Sequence, residues 1–221
     1  MLDDKLGGGI PMGSLNLIEG VASAGKSVLC QQLTYGALQG HRAVAYFTSE
    51  SNTEALAPQM ASIGMKVSTY LRNGGLRIYP LEEPTSDMDP NRVMDQMVKD
   101  IHRLPSQYTV IVVDSLTNLA AYSQETTVTG FFSFCKRLSA RGRTFILVVH
   151  SDAFEEKLLI RLGALCDTHL RLNVEKVGAK LVKSLDVCKI RNAKVVTGDI
   201  VNFDVEPGFG IRVSPIAIAR A

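Results

Sequence analysis

The run Gly20-Val21-Ala22-Ser23-Ala24-Gly25-Lys26-Ser27 has the spacing GxxxxGK[ST], which sets glycines, a lysine and a hydroxyl where a polyphosphate must be wrapped. Glycines let the backbone curl so that successive N–H groups converge on an anion, and a helix that starts there adds its dipole. Lys26 is expected to reach the β and γ phosphates of a nucleoside triphosphate, and the Ser27 hydroxyl to ligate Mg2+. Val28, next along the helix, closes the binding segment. Such a string also arises by coincidence, so its setting carries weight. An apolar strand candidate at 15–19 precedes it and a helix candidate at 25–39 follows.

Asp114 ends the apolar run Val110-Ile111-Val112-Val113. A carboxylate at the C-terminal end of a central strand points into the crevice where α/β sheets take ligands, and can hold magnesium through water. Apolar strands also end in turn-forming aspartates; the P-loop upstream favours the metal role. Glu50 closes Tyr46-Phe47-Thr48-Ser49-Glu50 on the same side of the sheet and is the candidate general base for polarising an attacking water. Its alternative is an N-terminal helix charge, with Ser51, Asn52 and Glu54 as cap and first turn. His150 follows the apolar run 145–149 and is the candidate sensor of the γ phosphate, passing its presence to 151–155. A histidine satisfied within the fold is the plain alternative.

These residues need a scaffold, and 221 residues with 46% hydrophobic content can bury one sizeable core. No linker-like stretch or internal repeat divides the chain, so a single domain over 1–221 is expected. Lys and Arg number 24 against 22 Asp and Glu, a balance that calls for no polyanionic partner. The N-terminus carries acidic residues and glycines where a secretion signal needs a basic start and an apolar run. Apolar runs stay far below the roughly 20 residues of a membrane helix. A soluble cytoplasmic protein is expected, with Cys30, Cys135, Cys166 and Cys188, which form no CxxC pair, reduced and buried.

Short apolar runs at 15–19, 43–48, 76–79, 110–113 and 144–149 alternate with amphipathic stretches near 25–39, 52–63, 91–103, 128–140 and 154–166. That alternation predicts βα units around a parallel sheet. The proline-bearing stretch 82–91 is expected to be a surface loop. After Thr168 the pattern changes: Leu170, Leu172 and Val174 alternate with polar residues, Gly178 offers a turn, and Leu181, Leu185 and Val187 resume the alternation. The expected fold class is α/β, a central, mostly parallel sheet flanked by helices and extended by a C-terminal antiparallel hairpin, with edge strands near 200–205 and 210–213.

The order of glycine-rich lead-in, P-loop, glutamate after the second strand, strand-ending aspartate and C-terminal hairpin resembles the RecA-like ATPases, and within them the KaiC-like branch. Leu2-Asp3-Asp4-Lys5-Leu6-Gly7-Gly8-Gly9-Ile10-Pro11-Met12-Gly13 resembles that branch's lead-in, Lys189-Ile190-Arg191 its K-x-R motif, and Pro207-Gly208-Phe209-Gly210-Ile211 its glycine turn. Ala153-Phe154-Glu155-Glu156 and Cys166-Asp167-Thr168-His169-Leu170-Arg171-Leu172 are similar to the archaellum ATPase-like family, FlaH (ArlH), and the likeness spans essentially the whole chain. The resemblance implies a RecA-like P-loop NTPase core that binds ATP and Mg2+ and forms a homo-oligomeric, hexameric ring. It further implies a cytoplasmic place at the periphery of the membrane-bound archaellum motor, docked on the motor ATPase FlaI and other archaellum base proteins, whose assembly or activity it regulates. Lys189 and Arg191 would then reach the nucleotide of a neighbouring subunit. Otherwise they are charges on an edge hairpin that discourage aggregation. KaiC-type members carry two adjacent glutamates after the second strand, whereas Ser51 follows Glu50 here, which implies weak hydrolysis or none.

Two other classes share the core. A recombination or DNA-handling ATPase needs positively charged loops to track a phosphate backbone. The connections after Asp114 and His150 instead carry Glu125, Asp152, Glu155 and Glu156, so DNA is not an expected partner. A KaiC-like signalling ATPase needs an acceptor hydroxyl, and among Ser115, Thr117, Thr126 and Thr127 none stands out.

Overall fold

The computed structural model describes residues 2–49, 53–81, 88–178, 180–191, 193 and 200–214. Among them nine strands make one sheet: β1 (Leu15–Gly20), β2 (Ala43–Thr48), β3 (Leu76–Pro80), β4 (Tyr108–Asp114), β5 (Thr144–His150), β6 (Thr168–Val177), β7 (Lys180–Ile190), β8 (Ile200–Glu206) and β9 (Gly210–Val213). Across the sheet the order is β3-β2-β4-β5-β1-β6-β7-β8-β9. The pairs from β3 to β6 are parallel, and those from β6 to β9 antiparallel. The helices are α1 (Leu2–Lys5), α2 (Lys26–Gln39), α3 (Thr53–Ser62), α4 (Ser68–Arg72), α5 (Pro90–Arg103), α6 (Thr117–Ala121), α7 (Glu125–Ser139) and α8 (Glu156–Leu165).

The central strands read as unbroken apolar runs because helices cover both faces. On β4, Val110 and Val112 join Ile18, Tyr46 and Val148 in the core that includes Leu29 and Leu38 of α2. Ile111 and Val113 point the other way, into a second core with Leu17, Phe47 and Leu147 and with α5, α7 and α8. Phe47 stacks on Tyr79 with centroids 4.7 Å apart. The two cores clamp the sheet between them. Its C-terminal strand ends form the edge from which the P-loop springs.

The five expected parallel strands and the hairpin are all present, and Gly178, at φ 61, makes the hairpin turn. Three details differ. Residues 82–87 of the expected loop lie outside the described residues, and Pro90, expected within that loop, begins α5 one residue ahead of the expected start, because Asp89 caps the helix by accepting the Asn91 N–H at 3.0 Å and proline suits the first helical position. The helix expected from 128 starts at Glu125, whose carboxylate accepts from Arg161 of α8 at 2.8 Å. Cys188, expected to be buried, is exposed: it is the residue left out of the pairing where the β6–β7 register shifts, with Val187 opposite Leu170 and Lys189 opposite His169, while the other three cysteines are buried. Among the described residues no helix is long and apolar enough to cross a membrane.

Candidate functional site

β1 delivers Gly20 beside Leu172 of β6. A Cβ on Gly20 would overlap the Leu172 carbonyl, so the close parallel neighbour demands glycine there. Ser23 and Gly25 take left-handed conformations, at φ 60 and 97, which turn the loop back towards the start of α2. Gly25 is the α2 N-cap and makes no side-chain capping hydrogen bond. The positive end of the α2 dipole therefore faces the loop, where an anion is favoured. Phe203 and Val205 of β8 brace the turn, 3.3 and 3.8 Å from where a Gly25 Cβ would lie. Val28 packs against the α2-side core.

Lys26 is buried at the head of α2, and its ammonium donates to the Val21 carbonyl at 2.6 Å, curling over the loop it is expected to serve. The expected magnesium pair meets: Ser27 Oγ donates to Asp114 Oδ1 at 3.2 Å. Asp114 is buried, and Tyr46 donates its phenol to the other oxygen, Oδ2, at 2.7 Å. Two hard oxygens at the mouth of the P-loop suit Mg2+, which is usually held by one or two protein groups together with substrate phosphates. Among the described residues no cluster of three or more His, Cys, Asp or Glu could form a protein-only cage. Burial pushes the Cys30 thiol well up, and the Asp114 charge pushes it further, so it stays a neutral part of the floor.

The ends of β2, β4 and β5 are laced together. Ser49 N–H donates to the Asp114 carbonyl at 3.1 Å, its hydroxyl donates to the Ser115 carbonyl at 3.1 Å, and Ser115 N–H donates back to that hydroxyl at 3.2 Å. Leu116 N–H donates to the Val148 carbonyl at 2.9 Å, and His150 N–H to Thr117 Oγ1 at 2.9 Å. The Asp114–Ser115 peptide is cis. His150 reaches the expected edge and lines a cavity of about 310 Å³ with Ser115, Thr117, Asn118, Asp152 and Ala153. Glu50 lies outside the described residues.

Lys189 and Arg191 sit elsewhere. Their strand ends where Thr168 pairs with Ile190 and Asn16 with Thr168, at the edge of the sheet opposite Gly20. Within one chain they are separated from the P-loop by the length of β1, roughly 16 Å at 3.3 Å per residue. Lys189 donates to the Gly163 and Ala164 carbonyls at the end of α8, at 2.9 and 3.3 Å, and Arg191 lies 3.8 Å from Asp167, which also binds Lys136. Burial, and secondarily Arg191, lowers the Lys189 pKa.

Two features carry no local sequence signal. Tyr46 is one. The other is Glu19, buried on β1 with His169 Nε2 at 3.2 Å and Arg171 Nε at 2.5 Å from its oxygens. Burial pushes the Glu19 carboxyl up, but hydrogen bonds and charge from His169 and Arg171 outweigh it and hold the group below its ordinary value.

A sequence profile of the KaiC ATPases matches residues 1–217. The chain belongs to the KaiC ATPase family. Within that family it is 31% identical over 224 residues to the archaeal flagellar ATP-binding protein FlaH of Sulfolobus acidocaldarius, covering 100% of this chain and 96% of that one. It is 32% identical to the FlaH of Methanocaldococcus jannaschii, covering 99% and 94%. The crystal structure of the flagellar accessory protein FlaH from M. jannaschii superposes with a TM-score of 0.82 at 31% identity, covering 98% of this chain and 95% of that one. For this KaiC family member the RecA-like P-loop core is therefore established from both sequence and fold.

Proposed function

We propose that this chain is an ATP-binding accessory component of the archaellum, whose nucleotide state regulates the assembly or activity of the motor ATPase FlaI. The observation that carries it is the convergence of Lys26, Ser27 and Asp114 at the head of α2. Support comes also from full-length likeness to proteins named archaeal flagellar ATP-binding protein. In this proposal the N–H groups at the start of α2 and the Lys26 ammonium hold the phosphates, while Ser27 and Asp114 hold Mg2+. Bound there, Mg2+ neutralises phosphate charge. The laced strand ends carry the site's state from Asp114 through Thr117 to His150 and the turn at Ser151–Ala153.

Lys189 and Arg191, remote from the P-loop of their own chain, complete a neighbour's site in a ring taken to be hexameric, cytoplasmic and peripheral to the motor. Hydrolysis is weak, with Glu50 as its base and no second glutamate beside it. DNA is not a partner, since exposed Asp152, Glu155 and Glu156 crowd the loop edge.

Co-sedimentation of the purified chain with FlaI, with and without ATP, tests the assignment. Complex formation strengthened by ATP is expected; no association in either condition overturns it. Glu50→Gln is expected to keep ATP affinity while lowering whatever phosphate release the wild type shows, and an unchanged release rate removes Glu50 as the base.

A further inference from the structure

We propose that Tyr46 is a positioning residue for the metal: it fixes which oxygen of Asp114 faces the ion, and so sets how much Mg2+ strengthens ATP binding. This rests on the assignment of Ser27 and Asp114 as the magnesium pair. Tyr46 stands opposite Val112, and Asp114 opposite Thr48, two pairs further along and so on the same face. Tyr46 and Asp114 share the α2 side of the sheet with Val110 and Val112, so they are diagonal neighbours within reach of a long side chain.

The phenol uses that reach. Tyr46 is fully buried, yet its hydroxyl meets Asp114 Oδ2 at 2.7 Å, while Oδ1 meets Ser27 Oγ at 3.2 Å. The two oxygens thereby receive different work. Oδ2 is committed to the sheet interior and Oδ1 is presented to the head of α2, where the other hydroxyl of the pair stands. The Ser49 N–H holds Asp114 by its carbonyl, and the Tyr46 hydroxyl holds its carboxylate. A partner that orients a metal-binding carboxylate commonly governs affinity by 10- to 100-fold.

Isothermal titration of the full chain with ATP, in Mg2+ and in EDTA, separates this role from simple packing. Tyr46→Phe keeps the ring and removes the donor. It is expected to lower the melting temperature of the ligand-free protein by several degrees and to leave the EDTA affinity near wild type, while the Mg2+-dependent gain falls by about 10-fold and recovers at higher Mg2+. Asp114→Asn is expected to remove the gain, with Tyr46→Phe adding nothing on that background. Equal loss with and without Mg2+, or a full gain in Tyr46→Phe, overturns the proposal. Wild-type protein that binds ATP with no Mg2+ gain overturns the Ser27–Asp114 pair and the proposal with it. Failure of wild type to bind ATP overturns the P-loop assignment itself.

Discussion

Lys26→Ala is expected to weaken ATP binding by roughly 100- to 1,000-fold, the scale of removing a desolvated charge from its counter-charge. Lys26 is only 4% exposed and stands at the first position of α2, so its ammonium meets a bound phosphate with little water between them. Its hydrogen bond to the Val21 carbonyl is charge-assisted and worth about 1.5–3 kcal/mol. Melting of the ligand-free variant should therefore fall by several degrees without loss of the fold. Equilibrium titration with ATP reads the effect directly. Unchanged affinity would sink the P-loop assignment, whereas lost affinity together with a collapsed melting temperature would point to misfolding.

Arg171→Ala is expected to destabilise the fold by about 3 kcal/mol, because it strips a main counter-charge from a carboxylate sealed inside the sheet. The value sits at the low end of the range since the Arg171 side chain is 47% exposed and solvent already screens it. For a chain of this size that corresponds to a fall in melting temperature of roughly 6–12 °C. The pH dependence has a definite sign. The folded Glu19 carboxyl lies below its ordinary value of 4.5, so its contribution to stability is present above about that pH and is lost as pH falls through the lower, folded value. The variant should lose stability at neutral pH and show a shallower acid dependence than wild type. Denaturant titrations at pH 7 and pH 4 measure both, and parallel curves displaced by a constant amount would refute this account.

The difference between these two sites explains what the chain reveals when read as letters. Gly20, Gly25, Lys26 and Ser27 are contiguous and obey a local geometric demand, so the P-loop is plain, and the uniform apolarity of 110–113 marks a strand buried on both faces. Tyr46 looks like any strand aromatic, because its partner is 68 positions away. Glu19 looks like a strand-end charge, because Arg171 lies 152 positions on. The late start expected for α7 has a cause of its own: Thr126, Thr127 and Val128 are β-branched and weak helix formers. The tertiary grip of Arg161 on Glu125 accompanies a helix that reaches back through them. Lys189 and Arg191 were legible as a motif, but only the register of β7 against β6 shows that they stand at the far edge from Gly20.

That register also bears on how the chain is made. β1, which carries the P-loop, leaves the ribosome before the other strands of this sheet, yet its two sheet partners are β5 and β6. Its first neighbour, β5, is made at residues 144–150, and its second, β6, from residue 168. Helices and the β2–β3 pair can form meanwhile from nearby sequence, but the central strand must wait, its edge groups unpaired, until β5 has been made. Long-range pairing of this kind slows folding and prolongs exposure to aggregation. For this protein the nucleotide site cannot close before β5 has been made, so ATP finds no complete site on a nascent chain that ends short of His150.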